Sequence, residues 1–184
     1  MTQFEFISVF VSILVAIAVT EILMGWGKLL RHRGEARVYW VHIVWTLLFL
    51  LLMVWDWYTL LHFRPVVAWT YPRFLLVLAR PTVAVLAAVV IAPPAEVAGG
   101  EANDLKEFYY KQAPAFFSLG VLYYVAAFST FLLLKGLDLT NVLVQGLAGA
   151  VVGTLAVARR ERTHVILTCV VTVLFLEVVV LRHP

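Results

Sequence analysis

Two charged residues lie inside apolar runs of this chain. Arg80 is part of FLLVLARPTVAVLAAVVIA, and Asp56 interrupts LLFLLLMVWDWYTLL. A charge within the hydrocarbon of a bilayer costs at least about 2.5 kcal/mol, so such side chains face the interior of a helical bundle and pair with each other. Intramembrane charges of this kind also mark sites for ions, protons or small solutes. The sequence therefore predicts a polar site built on Asp56 and Arg80.

The depths of these charges favour a direct contact. Asp56 lies about 9 Å from the end of the second predicted span, and Arg80 about 12 Å from the start of the third, measured from the same membrane face. A loop of about nine residues joins the two spans, so we expect antiparallel neighbours. Glu177, about 6 Å from that face in the sixth span, is predicted as a second acid for Arg80.

A further acid lies in the other half of the membrane. Glu21 belongs to the first span, and its nearest candidate partner is His42, near the start of the second span. A buried carboxyl without a charged partner is protonated or exchanges protons, which predicts an inner station for Glu21 and His42. An alternative stays open for the whole set, because an ion pair between helices can also be purely architectural.

The composition requires a membrane around these charges. Hydrophobic residues make up 63% of the 184 residues, and the mean hydropathy is +0.95, which leaves too little polar surface for a soluble globule. Segments of about twenty apolar residues are long enough to cross a bilayer as helices. We therefore expect an all-α, polytopic membrane helix bundle that forms one domain over residues 1–184. The predicted spans cover residues 6–26, 38–62, 72–92, 115–134, 139–158 and 163–181.

The positive charges predict the orientation of the bundle. Nine of the 14 Lys and Arg residues lie in one set of alternate loops and four in the other, while Arg80 lies in a span. Because cytoplasmic loops carry the excess of positive charge, both termini are expected outside the cytoplasm. The net charge of +3 is then a topology signal, and no nucleic-acid partner is expected. The predicted location is the inner (cytoplasmic) membrane, with the lipid bilayer as the main partner.

The longest connection, residues 93–113, contains the sequence EANDLKEFYYKQA. Asn103 or Asp104 is a suitable N-cap, and apolar residues follow at helical spacing, which predicts a short amphipathic helix over about 103–111 in the cytoplasmic interface. A solvated loop is the alternative. This connection is also the candidate docking surface for a membrane or cytoplasmic protein.

Small residues in the fifth span predict close helix packing. Gly149 and Gly153 form a GxxxG step, and Gly146 adjoins it. Such a step lets another helix approach closely. The partner helix belongs either to this chain or to a second copy in a homo-oligomer.

The sequence gives little support for a haem protein, a metalloprotein or an enzyme. His42 is the one histidine inside a span, and the other four lie at or beyond span ends, so a bis-histidine haem site would need His42 and His164 at one depth. Closely spaced metal ligands are absent from the sequence, and Cys169 is the single cysteine. We expect no metal and no cofactor. The sequence has no Walker loop, Rossmann glycine pattern or nucleophile elbow, so an enzyme is the less favoured class.

Three function classes follow in order of preference. The first is a channel or carrier for an ion, a proton or a small solute that uses the intramembrane charges. The second is a non-catalytic membrane scaffold or an accessory subunit of a larger complex, in which the same charges hold helices together. The third is a haem-dependent redox protein or a lipid-modifying membrane protein.

Overall fold

The chain folds as a bundle of helices. The computed structural model describes residues 2–31, 37–66, 68–93, 104–136 and 139–181. Within these ranges the structure contains six α-helices and one 3₁₀ turn that extends the second helix, and the predicted all-α fold is confirmed. The elements are α1 (Gln3–Arg31), α2 (Trp40–Thr59) with the 3₁₀ turn Leu60–Phe63, α3 (Tyr71–Ile91), α4 (Leu105–Lys135), α5 (Leu139–Val157) and α6 (Glu161–Leu181).

Four of these helices are long and apolar enough to cross a membrane. They are α1, α2 with its 3₁₀ turn, α3 and α4, with 21 to 31 residues each. Large apolar side chains also cover the outside of the bundle, for example Ile13 (53% exposed), Val89 (57% exposed) and Val173 (65% exposed). Such a surface is stable in lipid and unstable in water. The structure therefore supports a membrane protein.

Local sequence explains where the helices begin and end. Pro72 lies in the first turn of α3, where its missing N–H costs nothing. The Asp104 carboxylate accepts a hydrogen bond from the backbone N–H of Lys106 at 2.8 Å, which makes it the N-cap of α4, as the sequence allowed. At the other end, Gly136 stops α4 with a φ of 88°, a conformation that favours glycine.

The predicted interfacial helix is not a separate element. Residues 105–111 form the first turns of α4, which continues through Pro114 to Lys135. Leu105 and Tyr109 are fully buried, so the apolar face of this segment packs into the bundle and not into lipid headgroups. Residues 94–103 of the candidate docking loop lie outside the described residues.

The helices form two layers. The first layer is the row α1, α3, α4 and α5, in which each helix packs along the next. The second layer holds α2, which packs mainly on α1, and α6, which contacts α2 and α5. The expected antiparallel pair of α2 and α3 is therefore a weak contact, because α3 lies chiefly between α1 and α4. We call the end of the bundle where α2, α4 and α6 begin the basic end.

The glycines of α5 face α4 of the same chain. A Cβ atom on Gly149 would lie 3.6 Å from Tyr124, and one on Gly153 would lie 3.6 Å from Val121. The GxxxG step thus packs within the chain, and a second copy would have to bind another side of α5. Gly146 has no atom within 4 Å of a Cβ position.

Candidate functional site

The structure brings Asp56 and Arg80 together. The Asp56 carboxylate on α2 and the Arg80 guanidinium on α3 form an ion pair. Both side chains are buried, with 5% of Asp56 and 11% of Arg80 exposed. A pair with so little solvent contact is held by its own attraction and by neighbouring polar groups, because water contributes almost nothing.

Tyr123 of α4 is the third member of this group. Nη2 of Arg80 donates a hydrogen bond to the Tyr123 hydroxyl at 3.2 Å, and the guanidinium carbon lies 5.3 Å from the centre of the ring. The ring is 4% exposed. Nε of Arg80 is buried and has no hydrogen-bond partner in the described part of the chain. We call Asp56, Arg80 and Tyr123 the charged cluster, which joins α2, α3 and α4.

Polar contacts surround a break in the α3 ladder beside Arg80. Pro81 has no N–H to bond the carbonyl of Val77. On the neighbouring turn, the Thr130 hydroxyl of α4 lies 3.3 Å from the Leu76 carbonyl of α3. The charged cluster thus lies beside the missing backbone hydrogen bond of α3, near a polar side chain of α4.

Neither of the other predicted acids reaches this cluster. Glu177 is exposed on the outside of α6, and no contact with Arg80 occurs in the structure. The buried polar groups of α6, His164 and Thr168, lie in the first half of the helix, whereas Glu177 lies in the second half and faces outwards. Glu21 is half-buried on α1 and forms no hydrogen bond with His42 within the described ranges.

His42 has a backbone partner instead of Glu21. The side chain is fully buried, and its Nε2 donates to the Ile91 carbonyl at the end of α3, at 2.8 Å. A carbonyl can only accept, so Nε2 carries a proton in this contact. The Nδ1 atom is buried without a partner among the described residues.

A second buried cluster lies beside His42 at the basic end. The Tyr109 hydroxyl donates to Nδ1 of His164 at 2.9 Å, and Nε2 of His164 donates to the Ala158 carbonyl at 3.0 Å. Tyr109 and His164 are both fully buried. The position of His164 near the start of α6 did not suggest burial. We call His42, Tyr109 and His164 the histidine cluster.

Tryptophan and threonine pairs extend the histidine cluster into the bundle. The Trp45 indole N–H of α2 donates to the Thr168 hydroxyl of α6 at 2.8 Å, and that hydroxyl donates to the His164 carbonyl at 2.6 Å. The Trp26 indole of α1 similarly donates to Thr46 at 2.9 Å. The indole N–H groups of Trp26 and Trp45 are thus both paired, which buried tryptophans generally require.

An apolar layer separates the two clusters. It contains Phe49 and Met53 of α2 and Phe116 of α4, all at most 8% exposed, and the rings of Phe49 and Phe116 are 5.6 Å apart. Along α2 the distance from Trp45 to Asp56 is about 16 Å. No described polar side chain of α2 bridges this layer, because residues 47–55 of α2 are apolar.

The geometry argues against haem between the two histidines. Tyr109 contacts both rings, with centroid distances of 6.2 Å to His42 and 5.4 Å to His164. The tyrosine therefore occupies the space between them, and both Nε2 atoms are engaged by carbonyls. Among the described residues, no group of three or more His, Cys, Asp or Glu side chains is placed to hold a metal ion.

Outside the membrane spans, Tyr39 adds a polar contact at the basic end. Its hydroxyl lies 3.1 Å from that of Tyr110. Burial raises the pKa of the Tyr39 phenol well above its ordinary value, and the bond to Tyr110 acts in the same direction. Tyr39 therefore stays protonated at physiological pH.

One cavity of about 500 Å³ lies at the opposite end of the bundle, between the starts of α1 and α3. It is open to the surface and does not include a member of either cluster. Its lining residues are Thr2, Gln3, Phe6, Ile7, Trp69, Thr70, Tyr71 and Phe74.

Comparison with known proteins adds no relative. No protein family, curated protein or solved structure matches this chain. The two buried clusters and the apolar layer between them are therefore the basis for a functional assignment.

Proposed function

We propose that the protein is a small multi-pass protein of the inner (cytoplasmic) membrane that carries protons or another small ion through its helical bundle. The observation that carries this proposal is the charged cluster, an ion pair buried among apolar helices. Ionisable groups in such a position are costly and are kept where an ion or proton pathway needs them.

The chemistry of the cluster suits proton transfer. When Asp56 takes up a proton, its attraction to Arg80 weakens, and the guanidinium keeps the Tyr123 hydroxyl as a partner. Loss of the proton restores the ion pair. Arg80 therefore has two bonding states that depend on the charge of Asp56, which is the kind of bistable element that coupled transport requires.

The apolar layer fits the same function. Apolar constrictions block ions by excluding water, and they open when helices move. Phe49, Met53 and Phe116 would keep the charged cluster separate from the basic end in the closed state. A proton would pass only when the bundle rearranges.

The proposal includes six passes with both termini outside the cytoplasm. Its support is the excess of Lys and Arg at the basic end of the bundle. A reporter that is active only outside the cytoplasm should work after Pro184 and fail within residues 99–103. The reverse pattern would invert the orientation.

Flux measurements on the purified protein in liposomes test the function. With a pH gradient and a pH-sensitive dye inside, the parent protein should dissipate the gradient, and Asp56→Asn should not. Tyr123→Phe removes the hydroxyl bonded to Arg80 and should slow the flux. Tyr124→Phe is the matched control, because its hydroxyl forms no hydrogen bond in the described structure. Equal flux in all four proteins would refute the proposal.

A membrane scaffold or accessory subunit is the second candidate, and one observation favours it. Glu177 is exposed on α6 beside exposed Val173 and Leu176. A partner helix with a positive charge would satisfy this acid in the bilayer. If no ion flux occurs in liposomes and the protein co-purifies with fixed stoichiometry with another membrane protein, this candidate replaces the first.

A further inference from the structure

Two cross-helix pairs lie in register at the basic end. Nζ of Lys106 on α4 lies 2.8 Å from Oε2 of Glu161 on α6, and about half of each side chain is exposed. Lys106 precedes Tyr109 by three residues, and Glu161 precedes His164 by three residues. Residues three apart share one face of a helix and differ by about 4.5 Å in height. The exposed ion pair therefore stands one turn above the buried Tyr109–His164 pair, on the same two helices.

We infer that His164 is a proton-binding station, paired with Tyr109, that exchanges protons with the cytoplasmic side through Glu161. The inference rests on the proposed function, because it names the route by which protons reach the bundle. The two pairs form a ladder from the surface to the interior, with an acid, an imidazole and a phenol at successive positions. These are the side chains that transfer protons in proteins.

The proton transfer balances without any other reactant. A hydronium ion protonates the Glu161 carboxylate. The Tyr109 hydroxyl rotates its O–H away from Nδ1 of His164 and so frees the lone pair of that nitrogen, which then takes the proton from Glu161. The Tyr109 oxygen accepts from the new Nδ1–H, while Nε2–H stays on the Ala158 carbonyl. Release reverses these steps. Both charge states of His164 thus keep a partner on each ring nitrogen, which limits the cost of charging a buried imidazole.

The groups around His164 set its charge balance. The charged groups near the start of α6 are Glu161 on α6, Lys106 on α4, and the exposed Arg159 and Arg160 before α6. The other titratable neighbours are neutral: Tyr109 and Tyr110 on α4, His42 on α2 and Tyr39 before α2.

Protons on His164 do not continue directly to the charged cluster. The next polar groups are Thr168 and Trp45, followed one turn further along α6 by Thr172, whose hydroxyl donates to the Thr168 carbonyl. On α2 and α4 the apolar layer follows. His164 is therefore the last cytoplasmic station of the closed bundle, and Asp56 is the next station beyond the layer.

Protonation of His164 can be measured directly by ¹⁵N NMR of histidine-labelled protein in liposomes. On the inferred role, the His164 signal should change from the neutral to the protonated form when the cytoplasmic side is acidified. Tyr109→Phe should move the midpoint, because it removes the partner of Nδ1. A His164 signal that stays neutral at pH 5 in the parent protein would overturn the inference. His164→Gln removes the imidazole and should remove this signal. If that variant does not fold, Tyr109→Phe is the milder test, because it keeps the imidazole.

Flux measurements separate this inference from the proposed function. Glu161→Gln should lower proton uptake from the basic end about a hundredfold or more, the lower end of a general acid–base contribution. Glu107→Gln removes another exposed acid from the first turn of α4 and should have no effect. If Asp56→Asn abolishes flux while Glu161→Gln and Tyr109→Phe retain the parent rate and pH profile, the inference fails and the proposed function stands. If flux is absent but His164 titrates and responds to Glu161→Gln, the station stands and the proposed function fails.

Discussion

The two buried clusters use different physics to hold helices together. The charged cluster joins α2, α3 and α4 through a full ion pair, and Arg80 keeps one nitrogen without a hydrogen-bond partner in the described structure. The histidine cluster joins the ends of α3 and α5 to α2, α4 and α6 through neutral groups, and carbonyls of Ile91 and Ala158 fix its rings. The first depends on charge balance and the second on hydrogen-bond geometry. A charged site in a bilayer is thus sensitive to the loss of one partner, while a neutral site is sensitive to the loss of one hydrogen bond.

The largest effect is expected from Arg80→Ala. The change leaves Asp56 as a buried acid without its cation, and breaking such a pair costs about 3 to 5 kcal/mol. Chemical denaturation of the purified protein in detergent measures this loss. Asp56→Asn combined with Arg80→Gln should recover part of it, because no unpaired charge remains. If the losses caused by Asp56→Asn alone and by Arg80→Gln alone add up strictly to the loss in the double variant, the two residues do not interact.

A smaller loss is expected from Tyr109→Phe in the histidine cluster. Nδ1 of His164 then lacks its donor, and a buried unsatisfied acceptor costs about 1 to 3 kcal/mol. The same denaturation assay applies. Tyr110→Phe is the matched control, because Tyr110 is only partly buried and its hydroxyl meets Tyr39 and not a histidine. An equal loss of stability in both variants would show that the Tyr109–His164 bond contributes no more than the Tyr39–Tyr110 contact.

The smallest effect is expected from Lys106→Gln. Its ion pair with Glu161 is exposed, and exposed pairs contribute little because water and salt screen them. The denaturation midpoint should match that of the parent protein. A clear destabilisation would mean that this exposed ion pair stabilises the basic end. The helices around the histidine cluster would then be held by charge as well as by neutral hydrogen bonds.

The sequence predicted the helices and the ion pair because both depend on strong local signals. Apolar runs of about twenty residues identify spans, and a charge inside such a run identifies Asp56 and Arg80. Their similar depth followed from counting residues. Depth alone does not give the direction in which a side chain points, and so Glu177 was assigned to Arg80 although it is exposed on α6.

The neutral partners could not be predicted in this way. Tyr123, Tyr109 and His164 carry no charge signal, and their bonds depend on how α4 and α6 pack. His164 lies three residues into α6, a position that normally reaches the interface, and it is buried because aromatic side chains of α4 and the end of α5 pack around its ring. The GxxxG step of α5 raised a similar ambiguity, because such a step does not specify which helix it contacts.

Proton flux through the double variant tests the central claim most directly. Asp56→Asn with Arg80→Gln keeps a polar side chain at each position, removes both charges and is expected to fold because no unpaired charge remains. Reconstituted in liposomes with a pH gradient, it should leak protons no faster than empty liposomes, while Tyr124→Phe dissipates the gradient at the parent rate. Parent-level flux in a correctly folded double variant would contradict the claim that the charged cluster carries protons or ions.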